Sequence, residues 1–191
     1  MRRQALRNRN YGVRERSMKV MLTVDPGLRG CGCAWFRLDG AAWSLHSAAH
    51  AAALPHEAGE GGDDGPEAWN ATVGAVELLH AERFGERSPD VLCVERMKVY
   101  TRGGGDPRDL LALMAVAGGI FRAFHDARPL APLPAEYKGQ VPREIYGDRI
   151  EKKVRERGEW EKVVAPKKKT HLNDVMHAVG MGLFLVERGR V

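Results

Sequence analysis

Three cysteines in 191 residues, Cys31, Cys33 and Cys93, are too few and odd in number for a disulfide framework, and all fall inside stretches that read as strands. Cys31 and Cys33 share one strand face and could form half of a zinc site, but no second pair completes it, so buried reduced thiols are the better reading. No apolar run approaches the roughly 20 residues that cross a bilayer. No secretory signal precedes the first strand, and a cytoplasmic protein without a membrane partner is expected. The glycines at 103–105 are not followed by Lys-Ser/Thr, which argues against a P-loop. No second Asp-x-Gly loop follows the fourth strand, which argues against an actin-like phosphotransferase. Nothing repeats internally, and no small-molecule cofactor is expected.

Positive charge is in excess. A net charge of +5 and a pI of about 9.3 point to a polyanionic partner. Residues 1–20 hold Arg2, Arg3, Arg7, Arg9, Arg14, Arg16 and Lys19 against Glu15, which is more than the net charge of the whole chain. The remainder is close to neutral, with a second basic stretch from Lys138 to Lys169 set against an acidic one from Glu57 to Glu67. Positive charge concentrated at two places suits a binding groove. Residues 1–18 have no periodicity and read as a basic, disordered arm; since Met18 directly precedes the first strand, a dispensable extension is the plainer alternative. Residues 19–191 read as one globular domain, with the chain 43% hydrophobic and 29% charged.

Val20-Met21-Leu22-Thr23-Val24 and Val91-Leu92-Cys93-Val94 are short apolar runs of the kind buried on both faces in sheets covered by helices. The pattern predicts strands at 19–25, 31–38, 42–48, 90–95 and Leu130 to Leu133, the second and third joined by an Asp39-Gly40 turn. Loops are expected at 54–66 and 101–105. Helices are predicted at 66–85, at 107–125, from Pro142 to Arg157, and from His171 to Glu187. The second has Asp106 as N-cap and a stripe of Leu110, Leu113, Met114, Ala117, Phe121 and Phe124.

Asp25 and Glu95 end the first and fourth strands, and Asp174 stands early in the last helix. Ligands gather at the carboxyl ends of strands in such sheets, and carboxylates brought together there repel unless a divalent cation lies between them. The residues alone therefore predict a metal-dependent hydrolase. Plainer readings stay open for each: Asp-Pro-Gly forms turns, Glu95 can pair with Arg96, Asp174 can cap its helix, and His177 can be a satisfied core histidine.

The element order resembles the ribonuclease-H-like fold, and the motifs resemble those of RuvC-type Holliday-junction resolvases, in particular the small phage-encoded members. Asp25-Pro26-Gly27 followed by Gly30 and Gly32 matches their first strand, and Glu95 the end of their fourth. Pro134 and Lys138 match the segment after the fifth. The last helix carries Asp174 and His177 three apart and then the small residues Ala178, Gly180 and Gly182. The resemblance covers about residues 18–187 and implies an α/β fold with a mixed five-stranded sheet, three antiparallel strands then two parallel, flanked by helices. One position departs from the pattern, since the family normally has aspartate where His177 stands. A rival register makes His171 and Asp174 the pair, histidine at that first position also being known in the family. The first register is preferred because the small residues then fall correctly. Residues 171, 174 and 177 share one helix face in either case.

The resemblance implies an endonuclease that resolves four-way (Holliday) DNA junctions in recombination and repair. It would use two Mg²⁺ or Mn²⁺ ions roughly 4 Å apart. Asp25 would bridge both ions, Glu95 hold one, and Asp174 with His177 the other, the imidazole shifting preference toward Mn²⁺. DNA contacts are expected from Lys138, Arg143, Arg149, Lys167, Lys168 and Lys169. After Glu95, Lys98, Tyr100 and Arg102 would join them, with Tyr100 stacking on an unpaired base. A two-fold junction suits a homodimer, with helix 107–125 as its contact and Gly118-Gly119 allowing close approach. The expected compartment is the bacterial host cytoplasm if the chain is phage-encoded. The alternatives are a related nuclease acting on flaps, forks or RNA–DNA hybrids, and a junction-binding protein that has lost catalysis.

Overall fold

The apolar run after Lys19 needs cover on both faces, and the fold supplies it. In the computed structural model, which describes residues 18–53, 65–97 and 106–191, strand β1 (Lys19–Asp25) is the middle strand of a five-stranded sheet. On one side β2 (Gly30–Asp39) and β3 (Ala42–Ala52) form an antiparallel hairpin whose turn places Gly40 at φ 66°. On the other, β4 (Val91–Val94) and β5 (Arg128–Leu130) run parallel to β1, giving the order β3-β2-β1-β4-β5. This is the expected mixed sheet. Helices α1 (Pro66–Phe84) and α2 (Pro107–Ala123) cover one face. The short α3 (Pro134–Tyr137) leads into α4 (Arg143–Glu156), which covers the other face together with α5 (Lys169–Glu187).

Alternation along the strands divides the core. Val20, Leu22 and Val24 join Leu92 and Val94 on the α1–α2 side, while Met21 joins Val91 and Cys93 on the α4–α5 side. Full burial of side chains of this size is worth about 1.5–3 kcal/mol each. The small residues of α5 have a steric reason. A Cβ on Gly182 would collide with the Phe36 ring and one on Gly180 with the Tyr146 side chain, so the helix lies close on β2 and α4. The Thr23 hydroxyl ties β1 to α5 by donating to the Ala178 carbonyl at 2.8 Å.

Four expectations are corrected. β5 is Arg128–Leu130 rather than Leu130 to Leu133: Pro132 and Pro134 have no N–H for a ladder, and the chain turns into the unforeseen α3. β3 runs to Ala52, well past residue 48. In α2, Ala117 and Phe121 of the expected stripe pack half-buried on the core and Phe124 just after the helix is buried, but Met114 is 55% exposed and the fully buried line is Ala112, Val116 and Ile120, because the helix is rotated to bring that line onto the sheet. α5 begins at Lys169 with Lys168 at its N-cap, which places Asp174 inside the helix and removes its capping role.

Asp106 caps α2 as expected, its Oδ1 accepting from the Arg108 N–H at 2.8 Å. Cys31, Cys33 and Cys93 are free and buried. None of the described helices is long and apolar enough to cross a membrane. The basic arm up to residue 17, most of the loop at 54–66, the glycines at 103–105, and Lys98, Tyr100 and Arg102 lie outside the described residues.

Candidate active site

Parallel pairing of β1 with β4 sets Val24 beside Val94, so the chain leaves both strands at the same edge. Asp25 is the last residue of β1, and Glu95 follows β4, its N–H donating to the Val24 carbonyl at 3.1 Å. Asp25 of β1 pairs with Gly32 of β2, and Gly32 with His50 of β3, which puts the three in one row of the sheet. At the centre of that row any Cβ on Gly32 would strike the Asp174 carbonyl. Glycine there lets α5 descend until its second turn reaches the carboxylates.

Asp25, Glu95 and His177 each offer a ligand atom, and these atoms lie within 4.8 Å of one another. His177 is fully buried, with Nδ1 3.8 Å from Asp25 Oδ2. Its Nε2 lies 3.0 Å from the Arg143 carbonyl, an acceptor that fixes the proton on Nε2 and leaves Nδ1 as an acceptor on the side of Asp25 and Lys138. Burial holds its pKa down at about 4, so the imidazole is neutral at physiological pH. Burial, then Glu95, push the Asp25 carboxyl well above the usual carboxylate range, against the pull of Arg143. Two carboxylates and a neutral imidazole form a donor set that fits Mg²⁺ or Mn²⁺.

Two basic side chains stand among these groups. Lys138 Nζ lies 4.0 Å from Glu95 Oε2 and 3.5 Å from His177 Nδ1. Arg143, the first residue of α4, places Nη2 3.1 Å from Asp25 Oδ2 and against Asp174 Oδ1. Burial raises the Asp174 pKa, but His50 and then Arg143 outweigh it, and the net shift is downward. The Tyr137 hydroxyl donates to Glu95 Oε2, and the Tyr146 ring meets His177 edge-on at 5.2 Å.

The structure thus brings together Asp25, Glu95, Asp174, His177, Lys138 and Arg143. His177 belongs with Asp25 and Glu95 to the cluster whose ligand atoms all lie within 4.8 Å, whereas the resemblance pairs it with Asp174 on one ion. His171 stands apart from that cluster, stacked on His50 at 4.1 Å and 3°. Lys169 lies 2.6 Å from Asp148, while Lys167, Lys168 and Arg149 are exposed and make no hydrogen bond or ion pair with the six site residues. Two contributors escaped the sequence reading. His50 Nε2 faces Asp174 Oδ2 at 3.6 Å, and Tyr137 holds Glu95. Tyr137 could have been found from its place beside Lys138; His50 required the true register of the hairpin.

No protein-family model matches the chain, and no curated protein matches its sequence. Solved structures do. Thermus thermophilus RuvC in complex with a Holliday-junction substrate is 18% identical with a TM-score of 0.56, covering 89% of this chain and 96% of its own. Another Thermus thermophilus RuvC structure is 19% identical at a TM-score of 0.51 over 89% and 96% of the two chains. The yeast mitochondrial Holliday-junction resolvase Ydc2 is 11% identical at 0.53, over 88% of this chain and 80% of its own. The chain has the RuvC-type, ribonuclease-H-like fold. On this fold, the carboxylate cluster occupies the carboxyl-end edge of the parallel strands β1 and β4.

Proposed function

We propose that this protein is a divalent-metal-dependent endonuclease that resolves four-way DNA junctions by paired, symmetric nicks. The observation that carries the reading is the convergence of Asp25, Glu95 and His177 within 4.8 Å at one sheet edge. When bound, divalent ions supply an activated water and stabilise the leaving oxygen of a phosphodiester. Asp25, Glu95 and His177 would hold one ion, with Asp25 and Asp174 facing a second position. Tyr137 orients Glu95, and the Arg143 carbonyl fixes the tautomer of His177. Lys138, only 16% exposed, supplies positive charge where a phosphate would approach.

Branched DNA as the partner is supported by the fold shared with RuvC, which is known bound to a Holliday-junction substrate. Exposed Lys167, Lys168 and Arg149 would contact the arms, with Lys98, Tyr100, Arg102 and the arginine-rich arm adding to them. We place the protein in the cytoplasm, in a bacterial host if phage-encoded. A homodimer would match the two-fold symmetry of the junction. Leu78 of α1 and Leu111 and Met114 of α2 are 61%, 66% and 55% exposed, apolar side chains that a second copy would cover. Gly118 is open on that helix, whereas a Cβ on Gly119 would meet Val73 of α1, so Gly119 serves packing within the chain.

A junction-binding protein without catalysis is the competing reading, favoured by Arg143 standing between Asp25 and Asp174. Incubation with labelled four-way, flap, duplex and RNA–DNA hybrid substrates in Mg²⁺ or Mn²⁺ decides between them. Paired nicks in the four-way junction support the proposal. Binding without cuts, or cuts only in flaps or hybrids, would overturn it.

A further inference from the structure

Two anions that share a buried position need a countercharge, and here a side chain supplies it. Asp25 is 4% exposed and lies 3.1 Å from Arg143 Nη2, which also touches Asp174 Oδ1. An ion coordinated at about 2.1 Å by the same oxygens cannot coexist with that guanidinium. Arg143 is attached in a way that permits departure. Its carbonyl is fixed by His177 Nε2 at 3.0 Å, while its side chain is 49% exposed. The backbone therefore stays in place while the side chain has a path to solvent. Asp174 would not be left loose, because His50 Nε2 faces its other oxygen at 3.6 Å.

We propose that Arg143 is the resident cation of the position between Asp25 and Asp174, and that a divalent ion enters there only when the guanidinium leaves to take a DNA phosphate. Ion loading and phosphate capture are then one exchange, and the second position fills when DNA is present. The proposal rests on the reading of Asp25, Glu95 and His177 as ion ligands and adds the order in which the site fills. Guanidinium suits both ends of the exchange, since its planar fork matches carboxylate and phosphate alike.

Calorimetric titration of the DNA-free protein with Mn²⁺ tests it in wild type, Arg143→Gln and Asp25→Asn. Arg143→Gln should gain a second Mn²⁺ step that is absent from DNA-free wild type or at least roughly 5–150-fold weaker there, the usual range of coupling between sites, and should lower the melting temperature of the ion-free protein. Anisotropy with a labelled four-way junction provides the second readout. Without ions, wild type and Arg143→Gln should share one slope of log K against log salt. In saturating Ca²⁺ the wild-type slope should be steeper by about 0.9, one phosphate contact. Unchanged or weaker Mn²⁺ binding in Arg143→Gln, with binding lost in Asp25→Asn, would overturn the exchange and leave the ion site standing. If wild type binds no Mn²⁺ at all, the ion-site reading falls and the exchange falls with it.

Discussion

Toward Glu95 and His177, the nearest cation to the cluster is Lys138, set 4.0 Å from Glu95 and 3.5 Å from His177, whereas toward Asp174 the Arg143 guanidinium touches both carboxylates. The ligand groups on the first side are oriented by neighbours: Tyr137 donates to Glu95, and the Arg143 carbonyl fixes His177. On the second side Arg143 itself occupies the gap between Asp25 and Asp174. An ion can therefore enter between Asp25 and Asp174 only if the Arg143 side chain moves. Charge alone would not reveal this, because each half pairs a carboxylate with a base. The difference lies in contact: Arg143 is paired directly with both carboxylates, whereas Lys138 stands off at 3.5 and 4.0 Å.

Asp25 belongs to both halves, so its loss should have the largest effect. Asp25→Asn is expected to reduce junction cleavage on the order of 10³-fold or more, at least the loss seen on removing a principal charge-stabilising group, while junction binding persists. Because burial and Glu95 raise the Asp25 pKa, its charge costs stability at neutral pH, and the ion-free variant should melt at a higher temperature than wild type. Cleavage assays, anisotropy and thermal melts measure the three quantities.

The two histidines of α5 separate the halves more finely. His177→Ala should cost roughly 10- to 100-fold in ion affinity, and His171→Ala much less, because its ring lies on His50 outside the cluster. The reverse order would move the ligand role to His171 and Asp174. A free imidazole takes up its proton near pH 6.5, but burial holds His177 down at about 4. The unfolded chain then binds the proton across pH 6.5 to 4 and the folded one does not, so stability contributed by His177 is lost as pH falls through that window. His177→Ala should flatten this part of the melting-temperature profile, and wild-type ion binding should lose nothing to His177 protonation at pH 5.5. The smallest effect is expected from Tyr137→Phe, which keeps the ring and removes the bond to Glu95. About a tenfold loss in ion affinity, with little change in melting temperature, would place Tyr137 as a positioning residue.

Most of this arrangement was legible where residues sit at the ends of regular elements. Asp25 and Glu95 end apolar runs, and the glycines of α5 are spaced for close packing, so the sheet and its edge followed from pattern. His50 was hidden by a bulge. The β2–β3 register shifts between Trp35 and Phe36, and counting back from the Asp39-Gly40 turn without the shift sets Ala49, not His50, opposite Gly32. Pro142 marks only a helix start, so the sequence suggests Arg143 as a DNA contact near the site without showing its pairing with Asp25 and Asp174. That this start points into the site follows from the α3 turn and the Arg143 carbonyl bound by His177, both tertiary facts. On α2 the pattern finds Ala117, Phe121 and Phe124 but not the small-residue line of Ala112, Val116 and Ile120, which the rotation of the helix buries while Met114 turns outward.

The asymmetry between the halves is open to direct observation. Crystals of the DNA-free protein soaked in Mn²⁺ and measured at the manganese absorption edge would locate bound ions by anomalous scattering. The expected result is a strong peak bonded to Asp25, Glu95 and His177 Nδ1, with Arg143 still between Asp25 and Asp174. A peak between Asp25 and Asp174 in the absence of DNA, an ion bound by His171, or no ion at the Asp25–Glu95–His177 cluster would contradict it.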